Sequence, residues 1–156
     1  MWRYSPVDEL DLDRFRPGTV ASTVEHGDLG RATITRGEVG DDLPESGDGL
    51  VWLHHALATD PIVVDVPAGV TVTDTIVIRH AGPADGRAAA PQLIVRAGSD
   101  SEVRVVEVFD GGGAGLLLPA TTIAADGAAR VGYVGVQQLH RAAWSLGTLE
   151  IRAEAQ

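Results

Sequence analysis

Three stretches in the middle of the chain repeat one pattern of apolar and polar positions: 64–78 (VDVPAGVTVTDTIVI), 94–108 (IVRAGSDSEVRVVEV) and 123–136 (IAADGAARVGYVGV). In each, apolar residues run into a small turn that ends in glycine, then resume at every second position, which is the period of a strand. The turn glycines Gly69, Gly98 and Gly127 are spaced 29 residues apart. Strand, glycine corner and strand at a fixed interval predict a β-solenoid, in which each coil buries the apolar row that its neighbour cannot bury alone.

Outside these repeats the pattern is less regular. Before Pro17-Gly18, Asp8 to Phe15 fits either a short helix or an extended lead-in arm. Residues 19–24 and 31–35 read as strands of an outlying coil or hairpin, and Glu38 to Gly49 as an exposed acidic loop. Leu50 to Ala58 (LVWLHHALA) places Leu50, Leu53 and Leu57 at helical spacing and stops at Asp60-Pro61. Two glycine- and proline-bearing stretches, 81–91 and 110–119, fall at the same phase of the repeat and read as loops inserted on one side of the solenoid. Thr148 to Ala153 reads as one more coil. The expected organisation is therefore an arm, an outlying coil and a short helix over 1–61, and β-helix coils over 62–156. The stack stops at a raw strand edge, so end-to-end self-association through that uncapped coil is expected.

Composition narrows what fills such a stack. The chain has 156 residues, 44% hydrophobic and only 4% aromatic, so Val, Ile, Leu and Ala must make the core. Small branched residues suit tightly stacked short strands better than a wide ligand cavity. A net charge of −10 opposes nucleic acid or an anionic membrane as partner, since both would repel the chain at long range. All twelve basic residues are arginine, which leaves no lysine for a Schiff base or a P-loop, and with no cysteine there is no disulfide, thiolate metal site or cysteine nucleophile. The start, MWRYSPVDELDLDRF, lacks the basic-then-apolar plan of a leader, and no apolar run approaches the roughly 20 residues of a spanning helix. A soluble, cytoplasmic protein is the expectation.

Few residues suggest chemistry. Of His26, His54, His55, His80 and His140, the adjacent pair would point about 100° apart on a helix, and no HxH, HxxxH or HExxH spacing occurs, so a metal site is not expected. His80, closing a strand, reads as a surface or coil-end residue. Asp110 to Gly115 (DGGGAG) is followed by strand-like LLLPATTI and not by a helix, so it reads as a flexible loop and not a phosphate cradle. Asp11 and Asp13 read as a solvated face, and Ser22 and Ser145 lack a G-x-S-x-G elbow. Gln137, Gln138, His140 and Trp144 form a polar-aromatic cluster in which the amides are expected to stack as a ladder, with a binding role as the alternative. No catalytic, cofactor-binding or metal-binding residue is assigned.

Several blocks in order resemble one family: Trp2-Arg3-Tyr4-Ser5 with Leu10, Leu57-Ala58-Thr59-Asp60, VDVPAGVTVTDTIVIRH, LIVRAGSDSEVRVVEVFDG and VQQLHRAAWSLGTLEIRA. Together they are similar to the SufB/SufD family, the scaffold proteins of the bacterial SUF iron–sulfur cluster assembly system, and the W-R-Y-S start and VQQL…AWSLG spacing favour its SufD branch. The resemblance implies an all-β, right-handed parallel β-helix, pairing with SufB, and docking of the ATPase SufC by a C-terminal helical region. It also implies a nascent cluster held between a histidine of SufD and a cysteine of SufB. This sequence stops about halfway along the family's β-helix, before that histidine and the SufC-docking segment, and it also lacks the family's N-terminal helical region. No functional residue is carried over, His140 included, and no cofactor is expected on this chain alone. The expected function is a non-catalytic scaffold fragment. The alternatives are a self-standing β-solenoid enzyme acting on polysaccharide or transferring acyl groups, with Arg79, His80 and Asp110 as its candidates, or a small binding module using the glycine-rich loops.

Overall fold

The structure, a computed structural model, describes residues 9–37 and 49–154. The W-R-Y-S start and most of the acidic loop lie outside the described residues.

Asp11 opens the described arm by accepting a hydrogen bond from the Asp13 amide (3.1 Å), which caps a single 3-10 turn over Leu12–Arg14. Three short strands follow: β1 (Arg16–Pro17), β2 (Ser22–Glu25) and β3 (Thr33–Arg36). Helix α1 (Gly49–Leu57) then leads into the coils, close to the span expected from its leucine spacing.

From Ile62 the chain winds through three faces. The first turn is β4 (Ile62–Val66), β5 (Ile76–Ala81) and β6 (Arg87–Ala89). The second is β7 (Gln92–Ala97), β8 (Glu102–Gly111) and β9 (Leu116–Leu117), and the third is β10 (Ala120–Ala125), β11 (Arg130–Leu139) and β12 (Trp144–Ser145). β13 (Thr148–Ala153) opens a fourth. Every pairing between these turns is parallel, in three sheets ordered β3-β4-β7-β10-β13, β2-β5-β8-β11 and β1-β6-β9-β12. The chain is a β-solenoid of about three turns.

Strand alternation explains the filling. Ile62, Val64 and Val66 face inward on β4 and stand above Leu93, Val95 and Ala97 of β7. Below these come Thr121, Ile123 and Ala125 of β10. On the neighbouring face Ile76 stands above Val105 and then Tyr133. The columns meet in one cluster with Val70, Val72 and Val103. Each fully buried Val, Leu or Ile contributes about 1.5–3 kcal/mol of transfer free energy.

The stacking register corrects the glycine count. Leu93 pairs with Ile62, 31 residues back, while every described pairing between the second and third turns is offset by 28. Two of the three extra residues lie in the first corner, 67–75, after which Ile76 pairs with Val105 at an offset of 29, and the third lies between β5 and β6, after which Ala88 pairs with Leu116 at 28. The left-handed position of each corner is Gly69 (φ 69°), Asp100 (φ 57°) and Ala128 (φ 60°), so Gly98 and Gly127 are not its equivalents. Gly98 serves a different need: a Cβ there would stand 2.7 Å from the Ala68 amide nitrogen of the corner above.

The two stretches read as inserted loops are also corrected. They carry β6 and β9, the third face of the coil. Their glycines are packed corners, in which a Cβ on Gly112 would meet the Gly82 backbone at 2.6 Å and the Ala114 amide donates to Asp85 (2.6 Å). Asp110 to Gly115 is thus a stacked corner and not a flexible loop. On the outside of this face Ala88, Ala90, Leu116 and Leu118 are covered by Leu50, Leu53 and Leu57 of α1 with Leu10 and Phe15.

The outlying strands close one end. β2 and β3 pair antiparallel with β5 and β4, and β1 pairs parallel with β6, so they extend the three sheets and do not form a separate hairpin. Val24, Leu29, Ala32 and Ile34 pack over the first turn of the core. At the other end Leu149 and Ile151 on β13 continue the interior columns but are 52% and 62% exposed.

Candidate functional site

Two inward positions of the solenoid carry ionisable side chains. The alternation of β5 that buries Ile76 and Ile78 also buries His80, 1% exposed, and that of β8 which buries Val103 and Val105 brings Glu107 inside at 0%. The expectation that His80 is a surface or coil-end residue is overturned. The same parity that points the two isoleucines inward applies to it, and its ring stacks on Phe109 of the next coil (centroids 5.3 Å, 17° between planes).

A hydrogen-bonded chain runs through these groups. Glu107 accepts at Oε2 from Tyr133 Oη (2.6 Å) and Thr121 Oγ1 (2.7 Å), and at Oε1 from His80 Nε2 (3.0 Å). Three donors suit an ionised carboxylate, which can only accept. With the His80 proton assigned to Nε2, facing the carboxylate, Nδ1 accepts from Ser22 Oγ at 2.7 Å. Four strands of two sheets, with β2 of the cap, therefore meet at one carboxylate and its imidazole. Tyr133 reaches across Gly135, where a Cβ would lie 3.3 Å from the phenol oxygen. Burial first, then the Glu107 charge and hydrogen bond, hold the Tyr133 phenol well above its ordinary range, so it stays a donor.

The chain opens onto a cavity at its Ser22 end. About 160 Å³ lies between the cap, the first coil and the start of β7, with Ser22, Arg36, Asp60, His80 and Gln92 among its lining. Gln92 is 1% exposed, and neither its amide nitrogen nor its carbonyl oxygen has a protein partner. An Arg36 Nη2 donates to the Ser22 carbonyl and ties down the strand that bears the hydroxyl. At the other end Thr121 and Tyr133 line a second hollow with Phe109, Gln137 and Leu149 at the open rung.

The remaining candidates do not converge. Arg79 lies on the outer face, 3.7 Å from both Glu25 and Asp110, while His80 points inward, so the three coil-end residues form no common site. His54 is buried against the third face and donates from Nδ1 to the Leu118 carbonyl (2.6 Å); burial lowers its pKa, with the carbonyl bond opposing and the His55 charge adding to the effect. His26 Nδ1 donates to the Gly27 carbonyl, and His140 Nδ1 accepts from the Ala142 amide. Among the described residues no group of three or more His, Asp or Glu side chains could hold a metal ion. The amide ladder is not formed: Gln137 and Gln138 stand in register with Phe109 and Asp110, and Gln137 donates to Ser145 (3.2 Å).

Glu107, Thr121, Tyr133 and Gln92 were not singled out from sequence. The signal for Glu107 was present, since it occupies an inward position of the EVRVVEV alternation. No helix among the described residues is long and apolar enough to cross a membrane. Comparison of the chain with protein-family models, curated proteins and solved structures finds no match to any of them.

Proposed function

We propose that this chain is a piece of an assembly scaffold of the SufB/SufD type, acting in cytoplasmic iron–sulfur cluster assembly. Its part there is to hold a SufB-type partner, and through that complex to be coupled to ATP hydrolysis by SufC. This role requires no catalysis by the chain and no cofactor bound to it alone. The resembling blocks support the SUF assignment. Residues 64–80 fall on β4 and β5, 93–111 on β7 and β8, and 136–153 run from within β11 through β13.

The observation that carries the scaffold role is the open rung. Leu149 and Ile151 leave the interior columns uncovered, and among the described residues β13 pairs only with β10. A further parallel coil, from the same protein or from a partner, would complete both the hydrogen bonding and the core. Analytical ultracentrifugation of the chain alone and with SufB tests the proposal. The expected result is self-association that rises with concentration and a complex with SufB, both weakened by Ile151→Lys. A clean monomer at about 1 mM that also ignores SufB, where even millimolar affinity would show, overturns it.

A further inference from the structure

We propose that Ser22, His80 and Glu107 form a nucleophilic site that accepts the acyl group of a short-chain carboxylic ester. This goes beyond the scaffold role, which needs only the open rung. The three contacts required of such a site are present: hydroxyl to imidazole at 2.7 Å, imidazole to carboxylate at 3.0 Å, and a carboxylate fixed by two further hydroxyls at 2.6 and 2.7 Å. The ring presents Nδ1 to the hydroxyl and Nε2–H to the carboxylate, and either nitrogen of one conjugated ring can serve as the base. Glu107 is wholly buried and His80 nearly so, and both His80 and the half-buried Ser22 line the cavity.

The cavity sets the ligand class. Its volume of about 160 Å³ falls below the ~300 Å³ at which pockets for drug-sized ligands begin, so it suits an acyl chain of a few carbons. A buried Gln92 carboxamide with no protein partner lines the same space and offers an N–H for the carbonyl oxygen as it gains charge.

The chemistry balances without any redox partner. Ser22 Oγ bonds to the ester carbonyl carbon as its proton passes to His80 Nδ1. The tetrahedral adduct collapses, the carbon–oxygen bond to the alcohol breaks, and the departing alkoxide takes the proton back from Nδ1. Water then repeats the sequence on acyl-Ser22, releasing the acid and restoring the hydroxyl. Glu107 touches no substrate; it is a positioning residue that orients the ring and balances the imidazolium formed in each step.

The full chain treated with diisopropyl fluorophosphate, digested and read by mass spectrometry tests the assignment. A phosphoryl adduct at Ser22, formed about 10²-fold or more faster than at Ser99 or Ser145, is expected. No adduct at Ser22, or equal labelling of the three serines, overturns the proposal on the unmutated protein alone. Steady-state hydrolysis of p-nitrophenyl acetate gives a second readout. Ser22→Ala should abolish it, and Glu107→Gln should lower kcat with KM held; turnover that survives in Ser22→Ala overturns the assignment. Loss of SufB binding would leave these readings unaffected, so the two proposals fail separately.

Discussion

The two ends of the solenoid solve the same problem in different ways. At the first coil, β2 and β3 reverse direction and pair antiparallel on two of the three sheets, β1 stays parallel on the third, and the apolar row lies under Val24, Leu29, Ala32 and Ile34. At the last, β13 repeats the parallel pattern and presents Leu149 and Ile151 to solvent. On two of its three sheets the cap therefore differs from a coil in strand direction and not in composition, while β1 keeps the parallel pairing on the third.

The largest expected effect strikes what both ends depend on. Glu107→Ala removes the acceptor shared by His80, Tyr133 and Thr121 and leaves buried donors unmatched. It should cost about 3–5 kcal/mol in urea unfolding, with Glu107→Gln losing less. Next, the same substitution at each end measures the cap directly. Ile34→Asp should lower stability by about 2 kcal/mol through lost burial and a desolvated charge, and Ile151→Asp by less than ~0.5 kcal/mol. Equal losses would mean that the two ends are covered alike. The smallest effect is a change of sign between corners. Gly69 and Ala128 share the left-handed conformation with open space around them, so Gly69→Ala should cost, and Ala128→Gly gain, about 1 kcal/mol. Thermal midpoints moving in opposite directions would confirm the corner alignment.

Legibility followed the kind of signal. The coils were readable because strand parity survives without knowledge of the partner, and α1 because its three leucines fall on one face. The corner register was not, since two of the three left-handed positions are occupied by Asp100 and Ala128 and the glycines nearby serve other contacts. Parity alone placed His80 and Glu107 inside, yet a charged residue at a strand end invites a surface reading. Ser22 was beyond reach, because its partner lies 58 residues away across an antiparallel pairing that no local pattern announces.

The buried carboxylate has a further consequence. Successive rungs of valine, isoleucine and leucine are nearly interchangeable, so sliding one past another by two residues would forfeit little apolar contact. A slip of one residue in β8 would turn Glu107 out to water and bring Val106 in, and a slip of two would strand the charge opposite aliphatic neighbours. One carboxylate with fixed partners on the coils before and after its own thus acts as an index mark. It makes a single stacking the lowest in energy among many that the oily residues alone would tolerate.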